Sequence, residues 1–106
     1  MKVFLDDERK PPKGWVLVRW PDEAIELLKN QNVQEISLDH DLGDDNIGTG
    51  YDVILWLEEQ VAINSFSPPS IIKTHTANTS ERRKMLAGIK SIYKLDRNNQ
   101  LQNLKE

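Results

Sequence analysis

The chain has no cysteine among its 106 residues. Disulfides, thiolate metal sites and a cysteine nucleophile are therefore excluded. It also lacks any apolar run near the about 18 residues that an ordinary membrane-spanning helix requires. The apolar stretch within Met1-Lys2-Val3-Phe4-Leu5-Asp6 is too short for a secretory signal, so a cytoplasmic location is expected. Histidine is scarce, with His40 and His75 its only copies. An excess of positive charge is missing too. A net charge of −3 argues against bulk binding of nucleic acid and limits any nucleotide contact to a local, end-specific one. No internal repeat or linker is visible. At this length the chain reads as one domain, residues 1–106, with a modest core.

Against these absences stands a pattern of short apolar segments, each running into a polar cluster. Val3 to Leu5 reads as a buried strand ending in Asp6-Asp7-Glu8-Arg9. Pro11, Pro12 and Gly14 then forbid a long helix. Trp15 to Trp20 is β-branched and aromatic enough for a second strand. Pro21, Asp22 and Glu23 suit a first helical turn, and Ala24, Ile25, Leu27 and Leu28 give that helix its apolar face. Val33 to Asp39 is a third strand, leading into His40-Asp41-Leu42-Gly43 and the polar run Asp44-Asp45-Asn46. Tyr51 to Ile63 has helical periodicity, with Thr49 or Gly50 as cap. Ser70 to Thr74 is a fourth strand, delivering His75-Thr76-Ala77-Asn78. Asn78 and Glu81 have capping-box spacing before a helix that buries Met85, Leu86, Ile89 and Ile92. Residues 94–106 form a polar tail, helical or frayed. This alternation implies a parallel sheet with right-handed crossovers and strands one and three central, which gathers the polar clusters at one edge.

What could such an edge do? Asp6, Asp7, Glu8, Asp39 and Asp41 would repel one another unless a divalent cation offsets their charge. Mg²⁺ is the natural candidate for oxygen ligands, with Asp6, Asp7 and Asp41 as its set. Otherwise the acids form a solvated rim. His40 and His75 each end a strand and together suit acid and base work on a phosphodiester. The bland alternative is that each bonds a loop carbonyl. Strand alternation points His40 opposite to Asp39 and Asp41, so one set must turn to share a pocket. Thr76, Asn78 and the following helix start form an anion site or an ordinary cap, and Arg9 is a phosphate clamp or a partner for an acid. Trp15, Trp20 and Trp56 fit a core role better than a base-stacking platform.

Three motifs carry a resemblance. Leu5-Asp6-Asp7-Glu8-Arg9, Leu38-Asp39-His40-Asp41-Leu42-Gly43 and His75-Thr76-Ala77-Asn78 stand in that order. Together they resemble the cyclic-phosphate-processing receiver-like domains (cREC), a divergent branch of the response-regulator receiver fold. The resemblance spans nearly all of residues 2–90. It implies a three-layer α/β fold, flavodoxin-like, with a parallel sheet of about four strands and flanking helices. It also implies a phosphoesterase-like role on cyclic phosphates, such as 2′,3′-cyclic ends of RNA or nucleotides. His40, His75, Asp39 and Asp41 would be catalytic, and Arg9, Thr76 and Asn78 would bind substrate. A phosphate-bearing small molecule or RNA end is the expected partner, and no membrane is. Threonine stands at 76 where serine is expected, which keeps the hydroxyl. The helix after strand one and a lysine-bearing fifth strand of true receivers are missing, which argues against phosphorelay signalling. The alternative is a non-catalytic, degenerate receiver that captures a nucleotide or docks a protein.

Overall fold

A computed structural model describes residues 1–44 and 46–105; Asp45 of the polar run and Glu106 of the tail lie outside the described residues. The elements are β1 (Lys2–Leu5), β2 (Val16–Val18), α1 (Pro21–Asn30), β3 (Glu35–Leu38), α2 (Gly50–Asn64), β4 (Ile71–Thr74) and α3 (Thr79–Lys105). The four strands form one parallel sheet in the order β2-β1-β3-β4, so β1 and β3 are central. The strands are shorter than their apolar runs suggest. Trp15, Arg19, Trp20, Val33 and Asp39 lie outside them, although the Asp39 amide still bonds the Leu5 carbonyl at 3.0 Å.

Alternation along each strand divides the side chains between two unlike faces. Val3, Leu5, Val18, Ile36, Leu38 and Ile72 enter one apolar cluster with Ala24, Leu28, Val53, Ile54, Leu57, Val61, Met85, Ile89 and Ile92 from the helices. Gly88 lets α3 approach α2 closely, because a Cβ there would lie 2.5 Å from Ile54 Cγ2. The alternate residues, Phe4, Leu17, Ser37, Lys73 and His75, face the other way and lie outside that cluster.

Topology explains the asymmetry. The step from β1 to β2 runs opposite to the steps from β2 to β3 and from β3 to β4. With right-handed crossovers it must pass over the other face. That connection is residues 6–15, which the prolines keep from forming a long helix. The opposite layer is thus made by this segment, with the Trp15 ring edge-on to Phe4 at 6.1 Å. Beyond Tyr93 the final helix continues unbroken to Lys105, and the Asn99 side chain donates to the Val61 carbonyl of α2 at 2.8 Å. Among the described residues no helix is long and apolar enough to cross a membrane.

Candidate functional site

The polar clusters that follow β1, β3 and β4 meet at the C-terminal edge of the sheet. They line a cavity of about 340 Å³ formed by Asp6, Asp7, Glu8 and Arg9 from the first cluster, Asp39, Asp41 and Gly43 from the second, and Thr76 and Ala77 from the third. The loop after β3 is brought in by Gly50, the first residue of α2. A Cβ at that position would sit 1.7 Å from the Asp39 carbonyl oxygen, so only glycine permits this approach of helix to strand end.

Asp6 is 1% exposed and fully engaged. Its Oδ1 accepts the amides of Glu8 and Arg9, both at 2.8 Å, and its Oδ2 lies 2.9 Å from His75 Nε2. Burial pushes its pKa up, but these amides and His75 outweigh that and hold the carboxyl below its ordinary value. The His75 ring is stacked on Phe4, with centroids 4.3 Å apart and planes 5° from parallel. Its Nδ1 lies 2.8 Å from Ser37 Oγ. A neutral ring that donates from Nε2 to Asp6 and accepts at Nδ1 from the serine hydroxyl satisfies all three groups. Asp39 shifts the other way. Burial and the Asp6 charge raise its pKa, and the His40 amide, His75 and the Thr76 hydroxyl only partly offset them.

The two histidines have separate surroundings. His40 follows the alternation of Ile36 and Leu38 toward the helical side. Its Nδ1 lies 2.8 Å from Asp41 Oδ1 and its Nε2 3.1 Å from Glu81 Oε2 in the first turns of α3. Asp41 therefore lines the cavity while bonded to His40. Arg9 donates from Nη1 to the His75 carbonyl at 3.1 Å, and its Nε lies 4.0 Å from Asp6 Oδ2. Thr76 is buried in the wall, where its Oγ1 accepts the Asn78 amide at 3.2 Å. Asn78 Oδ1 accepts the Glu81 amide at 3.3 Å and the Ser80 hydroxyl at 3.1 Å, so this side chain starts α3. The capping box is half made, because the Glu81 carboxylate turns to His40 instead of back to Asn78.

Among the described residues, the group whose ligand atoms converge is Asp6, Asp39 and His75, all within 4.8 Å of one another. Asp7 and Asp41, expected with Asp6 as a metal set, line the same cavity outside that group. Two carboxylates and one imidazole can hold a divalent cation, and the nitrogen donor extends the candidates from Mg²⁺ to Mn²⁺ or Zn²⁺. In that state Ser37 would accept from Nδ1–H and leave the Nε2 lone pair to the metal. Ser37 and Phe4 carry no site role in the sequence reading, and Glu81 only that of a helix cap. The one available signal was Ser37 itself, a hydroxyl inside an apolar central strand, two residues before Asp39.

Neither a curated protein nor a solved structure matches this chain. A family model does, and its span includes β1 through the cavity-lining residues and most of the way to Tyr93. The chain belongs to the cyclic-phosphate processing receiver domain family, whose model matches residues 1–91.

Proposed function

We propose that the domain hydrolyses a cyclic phosphodiester, such as the 2′,3′-cyclic phosphate of a ribose, in the Asp6–Asp39–His75 cavity. The observation that carries this reading is the chain Ser37–His75–Asp6, with contacts of 2.8 and 2.9 Å, beside a second carboxylate whose pKa is raised. In the reaction water adds to phosphorus, one ribose P–O bond breaks, and the released oxygen takes a proton. Asp39 takes the proton from the attacking water, a task helped by burial and the Asp6 charge, which raise its pKa above the ordinary value. A His75 ring that enters the cycle protonated gives its proton to the leaving oxygen, and the proton taken up by Asp39 restores it after product release. Asp6 stays ionised, orients the ring and stabilises its charged form. Arg9 stands at the cavity wall to pair with phosphate oxygens. A divalent cation held by Asp6, Asp39 and His75 would instead supply charge neutralisation at phosphorus, and those residues would then serve as its ligands rather than as proton carriers. His40 holds Asp41 and Glu81 in place, a positioning role.

The test is turnover of 2′,3′-cyclic nucleotides, with and without Mg²⁺ or Mn²⁺. Wild type should open the ring, and His75→Ala should lose about 10²-fold or more of that rate. Equal rates would remove His75 from the mechanism, and no turnover of any cyclic phosphate would remove the reaction.

A second reading is favoured by one observation: both ring nitrogens of His75 already have partners. That suits a pocket that binds a cyclic nucleotide without chemistry. Calorimetric binding with the ligand recovered unchanged would establish it.

A further inference from the structure

The sheet face opposite the helices is covered by side chains and one loop segment rather than by a helix layer. Parallel sheets usually bury both faces. Here, among the described residues, no helix packs on the Phe4 side. Phe4 and Ser37 are buried there by neighbouring side chains, Trp15 and His75 among them. The β4 side of this face is bare: Ile71 is 43% exposed, and the Lys73 side chain is 59% exposed.

Cations collect on this face. The ammonium of Lys2 lies 5.8 Å from the centre of the half-buried Trp15 ring. Lys10 and Lys13 are exposed on the segment that crosses the face, and Lys73 stands at the opposite edge. The acid that faces them, Glu35, bridges Lys73 at 3.8 Å, a contact that a backbone phosphate would displace. Asp7 and Glu8 begin the same segment but line the cavity, so away from it the face carries these four lysines against Glu35. The lysines surround an aromatic row that runs from Trp15 through Phe4 to the His75 ring. Stacking surface beside spaced ammonium groups is the chemistry of single-strand recognition.

The following inference rests on the cyclic-phosphate reading. A 2′,3′-cyclic phosphate requires a ribose 2′-hydroxyl, so a polymer that carries one is RNA. With its 3′ end in the cavity, the strand must leave along a neighbouring surface. Asp6, which lines the cavity, bonds the His75 ring, and that ring lies on Phe4 of the open face. We propose that the open face holds the single-stranded RNA whose cyclised 3′ end enters the cavity, with Trp15 stacking a base and Lys2 and Lys73 pairing with backbone phosphates. The contact spans only a few nucleotides, as a patch of this size allows.

The test uses the full chain and a 5′-labelled RNA decanucleotide ending in a 2′,3′-cyclic phosphate, the same strand ending in a 3′-hydroxyl, and a 2′,3′-cyclic mononucleotide. Wild type should bind the cyclic-ended strand at least about tenfold tighter than the mononucleotide. The exposed double variant Lys2→Ala/Lys73→Ala should lose about tenfold of that affinity. Its salt dependence should weaken by roughly 1.4 in log–log slope, two phosphates at about 0.7 each. Mononucleotide turnover should not change. Trp15→Leu should weaken strand binding about tenfold, and a melting curve shows whether that variant stays folded.

Strand affinity equal to mononucleotide affinity, with the mononucleotide still turned over, overturns this inference and leaves the proposed reaction standing. Lysine-dependent binding of both strands, with no cyclic phosphate turned over, supports the face and overturns the reaction. A concentration-dependent dimer that the lysine variant dissociates, with no RNA bound, assigns the face to a second copy of the chain and overturns the inference.

Discussion

The two histidines make an instructive pair. Each follows a strand by one or two residues, and each has both ring nitrogens engaged. Yet His75 shares the alternation of Lys73 and lies on Phe4, against an acid that is 1% exposed. His40 shares the alternation of Leu38 and turns to the helical side, where Glu81 and Asp41 are partly or largely open to water. One ring backs the cavity through its bond to Asp6, and the other ties a loop to the start of α3. The phase of the strand decides between these roles, because a single step along it sends a side chain to the opposite face.

Replacement of the acid beside His75 should have the largest effect on this contrast. Asp6→Ala leaves two part-buried amides and an imidazole without their partner, and should destabilise the fold by about 2–3 kcal/mol in urea denaturation. A loss below half of that would mean that water replaces the carboxylate. Next is the comparison of the rings themselves. His75→Ala should abolish most cyclic-phosphate turnover, while His40→Ala should reduce it less than about tenfold, below the usual span of a general acid or base. Equal losses would make the two rings a joint catalytic pair and erase the distinction drawn here.

Ser37→Ala probes the far side of His75 and should cost about 1 kcal/mol of stability through the lost hydrogen bond. No change in the melting midpoint would show that the hydroxyl adds nothing to the ring's placement. The smallest effect is a stability gain. The carboxyl of Asp39 has a raised folded-state pKa, so its favourable contribution is complete below the unfolded value of 3.8 and disappears as pH rises through the folded value. Asp6 has the opposite sign: its contribution is present above 3.8 and is lost as pH falls through its lowered folded value. Asp39→Asn should therefore raise the melting temperature at neutral pH and lose that advantage in acid. A lower melting temperature at neutral pH would mean that the charge is stabilising.

Much of this arrangement was legible in the sequence. Asp6, Asp39 and His75 could be placed at one edge because each follows a short apolar run, and parallel connectivity carries such positions to the same side. The central places of β1 and β3 came from the same reasoning, as did the expectation that His40 and Asp39 point apart. What surrounds Phe4 was not legible. A run such as Val3-Phe4-Leu5 shows that both sides of a strand are covered, and does not show that one cover is a helix layer while the other is Trp15 and His75. Glu81 was misleading for a related reason. Its spacing from Asn78 suits a reciprocal cap, but in three dimensions the His40 imidazole from the loop after β3 competes for the carboxylate and holds it.

The start of α2 has a consequence for how this domain can change. The carbonyl of Asp39 rests against Gly50 at a separation that leaves no room for even a methyl group. A central carboxylate of the cavity is therefore aligned from behind by a residue with no functional group of its own. Variants that retune ligand preference should accumulate in the crossing segment Asp7–Gly14, which can be remodelled without moving a helix, while position 50 admits no trial at all.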